Sequence, residues 1–114
     1  MAVFCGAFPV LPGKVGALRA FAKETMGPQR SGFDESQRRY GITRETWSIQ
    51  ETPDGNASVL VWFECPDPQK VFGELAQDPS DFAVWFRERV KDISGVDLTE
   101  PMEGGGDLVL DWRA

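Results

Sequence analysis

The side chains able to do chemistry in this 114-residue chain are few, and histidine is not among them. Without imidazole, Ser-His-Asp and Cys-His hydrolysis, His-ligated haem and the facial-triad iron site are all excluded. Any general acid or base must be Asp, Glu, Tyr, Cys or Lys. Glu45 is the most suggestive of these. In the alternating segment Ile42 to Thr52 it shares the parity of Trp47 and Ile49, so a strand there turns it toward the apolar face, beside Phe63. A carboxylate on that face would be desolvated, with its pKa raised, and could serve as a base. Glu is almost never fully buried without a partner, so the pattern favours a strand-end carboxylate that reaches water.

Five other positions are candidates for holding a ligand. Tyr40, just before Gly41, could present its hydroxyl to a pocket, although a helix-end tyrosine with a wet tip is the commoner arrangement. Trp47 and Trp85, with Phe86, could line an apolar pocket between sheet and helices, and their spacing fits ordinary core stripes equally well. Arg44 could orient a polar ligand, or form a cross-strand ion pair with Glu64 worth roughly 0.2–1 kcal/mol. Trp62 could stack on a ligand or on a partner subunit. The mixed-sign cluster Arg87, Glu88, Arg89, Lys91 and Asp92 reads as a solvated helix face. Gly104-Gly105-Gly106 lacks the strand-to-helix context of a phosphate loop. Asp97, Glu100, Glu103 and Asp107 miss the spacing of a calcium loop.

The elements that must position these residues follow from periodicity. Residues 2–10 read as a buried strand ending at Pro9, and Pro12-Gly13 as a loop. From Lys14 the period becomes helical, with Val15, Leu18, Phe21, Ala22 and Met26 on one face and Gly27-Pro28 as the stop. Ser31-Gly32 reads as loop, Ser31 with Asp34 as a capping box, and 34–40 as a short helix closed by Gly41. Thr52-Pro53-Asp54-Gly55 is a turn signal joining Ile42–Thr52 to a returning strand, Ala57–Cys65. A three-residue loop pairs Thr52 with Asn56 and places Ile49 opposite Val59, Trp47 opposite Val61 and Arg44 opposite Glu64. Asp67-Pro68 opens a helix bearing Val71, Phe72, Leu75 and Ala76. Asp78-Pro79-Ser80-Asp81 reads as opening another in the same way, bearing Phe82, Trp85, Phe86, Val90 and Ile93 and ended by Gly95. Leu108 to Trp112 reads as a last short strand. The two cysteines, Cys5 and Cys65, are expected on the helix-covered face, close together, buried and unbonded.

Composition sets the remaining bounds. Four Trp and eight Phe in 114 residues supply a real core. The net charge of −6 argues against nucleic acid and against an anionic membrane surface as partners. No run approaches the ~20 apolar residues of a membrane span. Two well-separated cysteines without histidine give no zinc site and suggest a reducing, cytoplasmic setting. No linker or repeat divides residues 1–114, which read as one domain without a cofactor.

The expected order, strand, helix, strand, strand, helix pair, strand, is a ferredoxin-like βαββαβ fold: an antiparallel four-stranded sheet with helices on one face. The other face would carry Trp62 and Leu60, with Phe4 and Phe8 as further candidates, and would need its own cover. Three segments, Phe8-Pro9-Val10-Leu11-Pro12-Gly13-Lys14, Arg39-Tyr40-Gly41-Ile42-Thr43-Arg44-Glu45 and Asp81-Phe82-Ala83-Val84-Trp85-Phe86, resemble those of a bacterial family in the dimeric α/β-barrel superfamily. The resemblance implies a homodimer with two sheets stacked face to face. It also implies a cofactor-free monooxygenase-like or isomerase-like enzyme on an apolar or aromatic small molecule, or a non-enzymatic sensor or interaction module. The superfamily's haem chemistry needs a histidine that this chain does not have.

Overall fold

A computed structural model describes residues 1–102 and 105–114, and shows an α+β protein of three antiparallel strands and four helices. Glu103 and Gly104, weighed above in an acidic set and a glycine run, lie outside the described residues. The elements are β1 (Ala2–Val10), α1 (Val15–Thr25), α2 (Arg30–Tyr40), β2 (Arg44–Glu51), β3 (Ala57–Cys65), α3 (Pro68–Gln77) and α4 (Asp81–Ser94). The sheet order is β1-β3-β2. This order and pairing are compatible with a ferredoxin-like arrangement.

The hairpin carries the expected register, with Ile49 opposite Val59, Trp47 opposite Val61 and Arg44 opposite Glu64. Its loop closes through Thr52 N donating to Asn56 O at 2.9 Å, with Gly55 at φ 88. Thr52 and Asp54 share a further side-chain hydrogen bond. Ile49, Val59, Val61 and Phe63 thus face the helices. One core cluster joins Val10, Leu18, Phe21, Val59 and Ile93, and a second joins Phe63, Cys65 and Val71.

The structure corrects the parity of β1. Phe4 pairs with Phe63 and Phe8 with Val59, so Phe4 and Phe8 lie on the helix side and Val3, Cys5 and Ala7 on the open side. The reason is the size of the phenylalanines: Phe4 stacks on Phe63 and meets Phe72 edge-on, each at 4.9 Å between centroids, and offset or T-shaped pairs add to the area they bury. Gly6 between them leaves room for the Phe4 ring, which a Cβ at this position would approach to 2.7 Å. The two thiols therefore sit on opposite faces, Cys5 exposed and Cys65 buried, rather than side by side.

Three further expectations change. α2 begins at Arg30, a turn earlier than expected, with no side-chain cap, so Ser31-Gly32 is helix and not loop. Gly32 is there for close approach: a Cβ at this position would lie 2.9 Å from the Cβ of Phe82 on α4. α4 is capped by Ser80, whose hydroxyl accepts from Ala83 N, while Asp78 ends α3 and reaches forward to Ser80 N. Lastly, Leu108 to Trp112 forms no strand, and the sheet has three strands among the described residues. Among the described residues, the tail meets β1 through Gly106 N, which donates to Cys5 O at 2.6 Å.

Candidate functional site

The helix-side surface of the sheet and the helices do not close completely on one another. Between them lies an elongated cavity of about 100 Å³, walled by aromatic and aliphatic side chains from all three strands and all four helices. Trp47 packs with Phe21 at 5.2 Å and Phe86 at 6.0 Å, and Phe63 with Phe72 at 5.7 Å. The polar exceptions on the wall are Ser36, Gln37, Tyr40, Glu45 and Ser94. Three of these come from one stripe of α2. Phe33, Ser36, Gln37 and Tyr40 follow helical spacing and so share a face. Gly41, in the left-handed region at φ 76, closes the helix after Tyr40 and turns the chain into β2.

Glu45, the second residue of β2, joins the cavity wall on the face it shares with Trp47. Its side chain is half-buried there, held against the wall near the strand end. One carboxylate oxygen accepts from the Gln37 side chain at 2.9 Å and the other from the Trp47 indole N–H at 2.5 Å. Burial pushes its pKa above the ordinary glutamate value, and these two hydrogen bonds offset only part of that rise. No salt bridge of the described residues includes it.

Tyr40 is committed elsewhere. Its hydroxyl donates to Asp78 Oδ2 at 2.6 Å, and Arg39 Nη1 donates to the same oxygen at 2.9 Å. The other Asp78 oxygen accepts from Ser80 N at 2.9 Å. Burial alone would raise the pKa of Asp78, yet the bonds from Tyr40 and Ser80 and the charge on Arg39 lower it to about 2. The tyrosine moves the other way: burial, then the bond to ionised Asp78, raises its pKa well above the ordinary phenol value. Arg87 completes the junction, donating to the carbonyls of Leu75 and Asp78 at the end of α3.

Of the six candidate residues, the structure brings Tyr40, Glu45 and Trp47 to one cavity and separates the other three. Trp85 is half-buried on α4 against Phe21 and Phe82, outside the cavity wall. Arg44 and Trp62 lie on the open face, with the guanidinium 5.7 Å from the ring centre. The expected ion pair between Arg44 and Glu64 does not form, although their backbones are directly opposite. Arg44 covers Trp62 instead, and Glu64 pairs with Arg113 at 3.7 Å. Gln37 and Asp78 were missed. Starting α2 at Arg30 would have exposed Gln37 through its stripe, whereas Asp78 resembles a helix cap in sequence.

Among the described residues no cluster of His, Cys, Asp and Glu could hold a metal ion, and no helix is long and apolar enough to cross a membrane. The arrangement offers a carboxylate, a set of aromatic side chains and a small apolar volume. Comparison with protein-family models, curated proteins and solved structures finds no match for this chain.

Proposed function

We propose that this protein binds a small, largely apolar molecule in the cavity between sheet and helices, with Glu45 as the polar group that orients it. The observation that carries this reading is the pairing of an apolar cavity with a half-buried carboxylate on its wall that has no cationic partner among the described residues. Binding sites are recognised by such a combination of apolar lining and few convergent polar groups. Size bounds the ligand. A dry cavity of about 150 Å³ takes up benzene, so a volume near 100 Å³ accepts a body of a few carbons, or a single ring if an aromatic side chain shifts. An isomerase-like or cofactor-free monooxygenase-like reaction would begin with Glu45 taking a proton from the bound molecule. A ligand-sensing role would need binding alone. Thermal unfolding with a panel of small apolar molecules tests the reading. At least one should raise the melting temperature of the wild type and none that of Val61→Phe, which fills the cavity. A panel that leaves both unchanged would refute it.

A second reading concerns assembly, and the open face of the sheet favours it. Leu60 and Trp62 lie there half-buried beside exposed Cys5 and Ala7. The tail adds Leu108, Val109, Leu110 and Trp112, each more than 60% exposed. Exposed apolar surface on this scale is rare on a monomer and marks an interaction site. A homodimer through this face would cover it, and Cys5 is a native reporter. The dimer should appear by light scattering, and Cys5 should react with thiol reagent faster on dilution. A monomer at all concentrations, with Cys5 uniformly fast, would remove this reading.

A further inference from the structure

Among the described residues, Glu45 is the only charged side chain on the cavity wall, with no lysine or arginine there, and the other titratable group, Tyr40, spends its hydroxyl on Asp78. We infer that the cavity takes a small organic ammonium ion, a protonated amine on a compact aliphatic body, with Glu45 as its counter-ion. The inference rests on the cavity being a binding site and adds the chemical class of the ligand.

Four observations carry it. The two donors that fix the carboxylate, the Gln37 amide and the Trp47 indole, are neutral, so they hold it in position without cancelling its charge. Each carboxylate oxygen has about two acceptor positions, so one bond to each leaves room for a further donor. Phe63 lies directly opposite the carboxylate on β3 and the cavity wall beyond it is aromatic, while Trp47 turns its N–H edge to Glu45. An aromatic lining attracts a cation at its ring faces and gives nothing comparable to an anion. Finally, a buried charge is strongly disfavoured unless paired. An ammonium ion would supply the missing partner, a neutral hydroxyl would leave the charge uncompensated, and a carboxylate ligand would be repelled.

Charges on the packed elements do not substitute for such a ligand. On β3 the residues of this face are Val59, Val61, Phe63 and Cys65. On α2 the neighbouring cations are Arg38, which is exposed, and Arg39, which pairs with Asp78 and Glu35. The volume near 100 Å³ suits an amine with four or five carbons in its body.

The test uses three molecules of one shape, isobutylammonium, isobutanol and isobutyrate, titrated into the intact protein while the Trp47 indole N–H resonance is followed by NMR. Isobutylammonium should bind at least about tenfold more tightly than isobutanol, a difference of ~1.4 kcal/mol, and isobutyrate should not bind. The preference should grow as pH rises through the titration of Glu45 and vanish in Glu45→Gln, which keeps the shape without the charge. Equal binding of amine and alcohol, with Trp47 shifted by both, would overturn the ammonium inference and leave the cavity reading standing. No shift with any of the three would overturn both.

Discussion

Two carboxylates pack into this fold, Asp78 buried and Glu45 half-buried, and their surroundings could hardly differ more. Asp78, at the junction of α3 and α4, receives hydrogen bonds from a phenol, a guanidinium and a backbone N–H, and its side chain is only 2% exposed. Glu45, on the cavity wall, receives two neutral donors and no cation. The pKa values move in opposite directions as a result, down to about 2 for Asp78 and upward for Glu45. A carboxylate held by three donors, one of them a cation, is part of the scaffold. One held in place but left electrically open carries a stability penalty that a binding role would explain.

The largest effect should come from dismantling the satisfied junction. Asp78→Ala leaves the Tyr40 hydroxyl and the Ser80 N–H without their acceptor, and frees the half-exposed Arg39. Losses of charged hydrogen bonds at a buried site predict a fall of about 3 kcal/mol in unfolding free energy, measurable by urea denaturation. The pH dependence sharpens the same point. Because the folded-state pKa of Asp78 is depressed, its contribution is fully present above the unfolded value and is lost as pH falls from about 4 through about 2. The amount is roughly 2 kcal/mol. Asp78→Asn should show a correspondingly flatter acid limb.

Glu45 should behave in the reverse sense. Its folded-state pKa is raised, so stability is greatest below the unfolded value and declines as pH rises through the folded one. Glu45→Gln should therefore be as stable as the wild type at neutral pH, or more stable by up to about 1 kcal/mol, since it removes a half-buried charge that has no counter-ion. A loss of several kcal/mol would show that Glu45 is structural after all. The smallest effect belongs to the open face, where Arg44→Ala removes an exposed cation–π contact. Denaturant titration should find less than about 1 kcal/mol.

Much of this was legible in the sequence because it rests on local rules. The hairpin register followed from one turn signal and its three-residue loop, and the stripes of α1, α3 and α4 from period. What could not be read depended on contacts between distant segments. Gly32 looks like a loop residue until Phe82 is seen against it, and misreading it hid the α2 stripe that delivers Gln37 to Glu45. Asp78-Pro79 has the composition of a helix start, and only the packed Tyr40 and Arg39 make it a buried node. The parity of β1 was decided by which side had room for Phe4 and Phe8, something alternation within one strand does not specify. Glu45 was placed on the correct face, but its burial required knowing that a neutral amide and an indole would hold it.

The contrast between the two carboxylates can be measured directly by following both side-chain carboxyl carbons by NMR through a pH titration, with and without a small alkylammonium salt. Asp78 should titrate near 2 in both cases. Glu45 should titrate above the ordinary glutamate range alone and move downward when the ammonium ion is present. A Glu45 that titrates in the ordinary range, or that does not respond to the cation, would contradict the assignment of this carboxylate as the open charge of a binding site.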